Sequence, residues 1–261
     1  MEALSWDGVR LAYRDQGSGS PPMLFVHGWC CDHTYFAPQI EHFSARHRVI
    51  SVDLRGHGES DKPEQDYTIG GFADDLAWMI RQLELEPPVI VGHSMGGVIA
   101  FEMAARHSAC VGAVVGVDAP MIPANSLGNR AAGLLEGLKK SGYQDVVRGF
   151  VKGMFLPTDD AERKVQIADH MAQAPQHVMV SALEETLINY DTGASAASCT
   201  RPALLINSNP HSVNIDRLSE LCPQVAFGQT VGSGHFNQLE VPEQVNSMIE
   251  RFIQVSPTST R

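Results

Sequence analysis

The chain has 261 residues, 43% of them hydrophobic and 19% charged, which suits one large α/β domain with a buried core and excludes extensive disorder. A net charge of −11 repels nucleic acid and anionic membranes, and no Lys/Arg cluster makes a local exception. No leader pattern opens the chain and no apolar run nears the roughly 20 residues of a membrane span, while the five cysteines lack metal or disulfide spacing; reduced thiols in a cytoplasmic protein are expected.

Short apolar runs alternate with helical patterns, the mark of an α/β fold with a mostly parallel, doubly wound central sheet. Residues 9–15 alternate as a strand, and residues 17–22 form a Gly/Ser/Pro turn. The continuous run MLFV at 23–26 suits a buried parallel strand. Residues 32–45 have helical spacing, with Phe36, Ile40 and Phe43 on one face. Strand pattern returns at 48–54, followed by a polar loop over 55–66. A helix spans 69–85 and stops at Pro87-Pro88; residues 89–91 are strand, 95–106 an apolar helix, and 111–117 a buried strand ending at Asp118. Sheet pattern then vanishes until 203–206, and the interval between carries several helical segments. A short helix is expected at IDRLSEL, introduced by Asp216 as its N-cap, then a strand at 225–231. A last helix at 243–254 turns Val245, Met248, Ile249 and Phe252 inward. The organisation is therefore a core of residues 1–120 and 200–261 with a helical cap of residues 121–199. Ligands in open α/β sheets sit at the carboxyl ends of the strands, so an insertion leaving from Asp118 emerges beside the site and can roof it.

Three motifs carry chemistry. GHSMGG at 92–97 contains the G-x-S-x-G nucleophile elbow, a tight strand-to-helix turn that lifts the Ser94 hydroxyl clear of the backbone. A structural Gly-rich turn is the plain alternative, but the flanking strand PPVIV and helix MGGVIAFEMAARH supply the context an elbow requires. An acyl-transfer site also needs preset N–H donors for the oxyanion. The backbone amide of Met95 supplies one, and Trp29 in HGW, directly after MLFV, is placed to supply the other. The third motif is GSGHF, which puts His235 between the last strand and the last helix, where a general base for Ser94 must stand. Among the other histidines, His93 is expected to point away from the site, and His57 in DLRGHGES to support the scaffold. None shows metal-ligand spacing, so no metal is expected.

HGW, DLRGHGES, GHSMGG and GHFNQLEVPEQV, in this order and spacing, resemble the α/β-hydrolase superfamily, in its esterase, lactonase and haloperoxidase-like branch. The resemblance covers nearly the whole chain except the insertion, which looks like that family's cap, and it implies that no cofactor is needed. Most relatives place the catalytic acid after the strand that follows the cap. Here Ser208 stands at the usual glycine and His211 at the usual acid, with no carboxylate before Asp216. The other place the superfamily uses is the end of the strand leading into the cap, where Asp118 stands; a turn-capping role is the plain alternative. The expected function is a serine hydrolase with a Ser94–His235–Asp118 triad, acting on a carboxylic ester or lactone of a small-to-medium apolar substrate. Met121, Met154 and Phe155 of the insertion are its expected substrate contacts, since Met-rich surfaces make adaptable apolar pockets. A cofactor-independent ring-cleaving dioxygenase, a slow-turnover hydrolase-like receptor and a haloperoxidase-like activity are the rival readings. The expected partner is a small molecule, with no nucleic acid or membrane, and nothing in the pattern specifies an oligomeric state.

Overall fold

The computed structural model describes residues 1–123, 126–210 and 213–256. Its strands are β1 (Glu2–Trp6), β2 (Val9–Gln16), β3 (Met23–Val26), β4 (Val49–Val52), β5 (Val89–His93), β6 (Ala113–Val117), β7 (Ala203–Asn207) and β8 (Val225–Gln229). They form one eight-stranded sheet in the order β1-β2-β4-β3-β5-β6-β7-β8. The β1–β2 and β2–β4 pairs are antiparallel and the remaining pairs parallel, as expected of a doubly wound sheet. The central strands MLFV, VIVGH and AVVGV are buried throughout, which is why they read as continuous apolar runs. Strand β1 was not anticipated from the pattern. Only Leu4 in it is half-buried, and its pairing to β2, from Glu2 against Tyr13 to Trp6 against Val9, holds it in place.

The helices are α1 (Ala37–Phe43), α2 (Ile69–Gln82), α3 (Met95–Arg106), α4 (Ser126–Leu138), α5 (Tyr143–Lys152), α6 (Ala161–Met171), α7 (Gln176–Glu184), α8 (Thr192–Ser198), α9 (Ile215–Leu221), α10 (Asn237–Glu240) and α11 (Pro242–Val255). Side chains alternate across a strand, so each sheet face receives its own core. Met23 and Phe25 join Phe36, Phe43, Ile249 and Phe252 under α1 and α11. Leu24 and Val26 face the other way, with Phe72, Leu76 and Phe101 of α2 and α3. The expected helix over 32–45 is split into a 3₁₀ turn at His33–Phe36 and α1, whose Pro38 sits in the first turn, where a missing N–H is tolerated. Helices α4 to α7 follow β6 and pack mainly on one another, whereas α8 packs on α3 and α9. Among the described residues no helix is long and apolar enough to cross a membrane.

One buried carboxylate braces the loops that follow β3 and β4. Asp53, the residue after β4, is fully buried and therefore needs donors. Its Oδ1 accepts from the His33 amide at 2.8 Å and from His33 Nδ1–H at 2.9 Å, and its Oδ2 accepts from the Glu59 amide at 2.8 Å. Arg14 Nε donates to His33 Nε2 at 3.0 Å, which leaves the ring proton on Nδ1. Gly58 is required because a Cβ there would lie 2.3 Å from the Asp53 carboxyl carbon, at a φ of +49°. His57 belongs to the same scaffold: its buried ring donates from Nδ1 to Arg55 O at 2.9 Å.

Burial opposes ionisation of Asp53, but the hydrogen bonds from His33 and Glu59 prevail and hold its pKa at about 2. A carboxyl depressed in the folded state adds stability that is complete above the unfolded pKa and disappears as pH falls through the folded one. Urea unfolding is therefore expected to show a loss on the order of 2 kcal/mol from this group between about pH 5 and about pH 2. Asp53→Asn should be less stable than wild type near neutrality and should lack that component of the acid dependence.

Candidate active site

β5 ends at His93 and α3 begins at Met95, so Ser94 alone makes the turn between them. Its φ of 52° and ψ of −119° are strained for a residue with a side chain. The turn closes only because its neighbours have none. A Cβ on Gly92 would lie 2.1 Å from Gly96 O, and one on Gly96 would lie 2.1 Å from Val26 O. The Ser94 amide donates to Val117 O at 2.9 Å, extending the β5–β6 ladder by one residue. Among the described residues, the amides of Met95 and Trp29 have no acceptor. The Trp29 side chain is buried, and its Nε1–H donates to Met179 O of α7 at 2.9 Å.

Asp118 stands one residue past β6 with φ of 44°, and its amide donates to Ile206 O at 2.8 Å. Its Oδ2 accepts from His235 Nδ1–H at 2.7 Å, and its Oδ1 accepts from the Ser208 amide at 2.8 Å. The carboxylate accepts only, so the proton sits on Nδ1 and His235 Nε2 keeps its lone pair. Burial works against the charge on Asp118, but the bond from His235 and the donation from Ser208 overcome it and hold the carboxyl below its usual pKa. Ser208, one residue past β7, thus donates its amide to the carboxylate. Asp216 is exposed in the first turn of α9, and it is not the N-cap: Asn214 takes that role by accepting from the Arg217 amide at 3.0 Å. His211 lies outside the described residues.

Ser94 and His235 line the same cleft of about 450 Å³, solvent at its mouth included, together with Gly28, Trp29, His93 and Met95. Phe150, Met154, Met171, Leu183, Leu187 and Phe236 form its apolar part. Of the expected substrate contacts only Met154 is there. Met121 is fully buried in the main core, and Phe155 stacks on Phe236 with ring centroids 5.1 Å apart. Apolar spacing in the insertion shows that a side chain is buried, but not whether helix or cleft buries it; that is why the pattern does not single out Leu183 and Leu187. His93 contributes to the cleft wall, and its side chain is buried. Its Nε2–H donates to His235 O at 2.9 Å, and burial, reinforced by the neighbouring His235, lowers its pKa to about 3 and keeps it neutral. Among the described residues, Asp32, His33 and Asp53 have donor atoms close enough to hold a metal, but Asp32 caps Thr34 and the other two form the brace.

Residues 21–242 match the family model described as alpha/beta hydrolase fold. The 2-(acetamidomethylene)succinate hydrolase of Mesorhizobium japonicum is 29% identical over 266 residues, covering 94% of this chain and 92% of that one. Among solved structures, a thermophilic esterase from Thermogutta terrifontis superposes with a TM-score of 0.85 at 24% identity, over 97% of this chain and 98% of that one. The enol-lactonase from Burkholderia xenovorans gives 0.84 at 21% identity, over 97% and 100% of the two chains. At these identities the structural likeness is one of fold.

The close approach at the elbow sets Gly96 apart from a glycine in an open helix. Gly96→Ala drives a methyl group into the Val26 carbonyl and is expected to destabilise the fold by about 3 kcal/mol or more in urea unfolding. Gly133→Ala, in the exposed interior of α4 with nothing near its Cβ position, is expected to be neutral or to stabilise by up to about 1 kcal/mol.

Proposed function

Because the chain belongs to the alpha/beta hydrolase fold family, we propose that it is a serine hydrolase cleaving a carboxylic ester or lactone through an acyl-enzyme. The observation that carries this reading is the 2.7 Å bond from His235 to Asp118, in a cleft that His235 shares with the strained Ser94. Ser94 Oγ attacks the acyl carbon while His235 Nε2 takes its proton. Asp118 holds the tautomer that leaves Nε2 basic, and its charge stabilises the imidazolium as it forms. The developing oxyanion is received by the unengaged amides of Trp29 and Met95, the latter at the N-terminus of α3, where the helix dipole adds to the attraction. His235 then returns the proton to the leaving oxygen, and water activated by the same imidazole cleaves the acyl-enzyme.

In this proposal the helices between β6 and α8 act as a cap over the strand ends. We take this cap to end before Thr192, short of residue 199, because α8 packs on α3. Phe150, Met154, Met171 and Leu187 would surround the acyl group, which supports a small-to-medium apolar substrate. The name of the Mesorhizobium japonicum relative, aligned over most of both chains, supports hydrolysis as the reaction class.

A fluorophosphonate is expected to label the wild-type protein once per chain and to leave Ser94→Ala unlabelled. The same substitution should lower kcat on p-nitrophenyl butyrate by at least about 10³-fold. Undiminished turnover by Ser94→Ala would contradict the acyl-enzyme. Oxygen consumption during turnover would then point to the dioxygenase reading, in which His235 and Asp118 act without a nucleophile.

A further inference from the structure

The loop that carries His235 lies outside regular structure: β8 ends at Gln229 and α10 begins at Asn237. Its order comes from contacts with other segments, and those at the His235 backbone come from two directions. From the elbow, His93 Nε2–H donates to His235 O at 2.9 Å. From the insertion, Met154 O accepts the His235 amide at 3.0 Å.

Next to this bond stands Asp159, in the turn between α5 and α6. Its carboxylate accepts from the Gly234 amide at 3.2 and 3.1 Å and from the Leu156 amide at 2.6 Å. Only 9% of the residue is exposed, so these bonds act away from competing water. The match is close on both sides. A Cβ on Gly234 would fall 2.4 Å from Met154 O and 2.8 Å from Asp159 Oδ2, so the second glycine of GSGHF is set by the insertion's approach. Outer contacts continue the interface: the Asp160 amide donates to Glu240 Oε2 at 2.9 Å, and Arg163 pairs with Glu240 at 3.1 Å.

We propose that Asp159 is a positioning residue for His235, holding the Gly234–His235 backbone so that the imidazole meets Asp118 on one side and Ser94 on the other. Bonds from backbone amides to a carboxylate are stronger than those to a neutral acceptor, which suits them to fixing a loop. The insertion on this view is part of the catalytic frame as well as a roof. The inference rests on the reading of His235 as the general base.

Steady-state hydrolysis of p-nitrophenyl butyrate by variants of the full chain tests it. Asp159→Leu removes both acceptors at similar size and is expected to lower kcat by about 10²-fold with KM held within about threefold. Asp159→Asn keeps a carbonyl oxygen for the Gly234 amide and should restore kcat to within about fivefold of wild type. Arg163→Ala breaks the outer pair without touching Gly234, and should lower thermal stability while leaving kcat unchanged. Proton NMR of the His235 Nδ1–H, downfield through its bond to Asp118, gives a readout that needs no substrate. The signal should persist in Asp159→Asn and broaden in Asp159→Leu. Should Asp159→Leu fail to fold, Asp159→Ser, too short to reach the Gly234 amide, serves in its place. Wild-type kcat with an unchanged imidazole signal in the Leu or Ser variant would overturn the inference, as would an equal loss of kcat in Arg163→Ala. If the wild type itself hydrolyses no ester while the imidazole signal still follows residue 159, the hydrolase reading falls and the positioning role stands.

Discussion

A carboxylate largely enclosed at the end of a parallel strand needs donors, and at Asp118 the donors come from two distant parts of the chain. His235 bonds one oxygen and the Ser208 amide the other. The bond to His235 sets the imidazole tautomer and thereby which nitrogen is basic. The bond to Ser208 ties the carboxylate to the end of β7, so neighbouring strand ends converge on one charge. A positive φ at Asp118, like that at Ser94, marks backbone held in place by its surroundings. The sheet matters to the site chiefly because it makes β5, β6 and β7 adjacent and parallel, which brings Ser94, Asp118 and Ser208 to one edge.

The insertion is bonded to both sides of the cleft. On one side α7 accepts the Trp29 indole N–H through Met179 O. On the other, Met154 and Asp159 hold the backbone at Gly234 and His235. A third tie runs from Tyr35 to His170 of α6 at 2.8 Å. The proposed oxyanion turn and the proposed base are thus anchored in part by the segment that lines the cleft. A change in the helices that alters acyl-chain preference is then expected to reach turnover as well, through backbone contacts and not only through the pocket wall.

Much of this was legible in the sequence because it follows from local rules. Glycines flanking Ser94 and apolar runs in the central strands each report a steric or solvation requirement that acts within a few residues, whereas Asp118 and His235 are placed by the resemblance to the superfamily. What escaped depends on contacts distant in the chain. Strand β1 is an exposed edge whose apolar residue Trp6 stacks on Trp78 at 5.1 Å, and nothing in EALSW announces that partner. Asp216 looked like a cap because it precedes a helical run, while the backbone turns two residues earlier at Asn214. Met121 and Phe155 have the composition of a pocket and the burial of a core, and only three-dimensional packing separates the two. Asp159 sits in LPTDD, where a second aspartate, Asp160, caps α6 and gives the pair an ordinary explanation.

In the proposed triad Asp118, supplied from the strand before the insertion, orients the base. The most direct measurement is kcat of Asp118→Asn on p-nitrophenyl butyrate, beside Asp216→Asn as a reference, with circular dichroism confirming that both are folded. Asp118→Asn is predicted to lose about 10³–10⁴-fold in kcat and Asp216→Asn less than about tenfold. A nearly inactive Asp216→Asn beside a fully active Asp118→Asn would contradict the assignment of the acid.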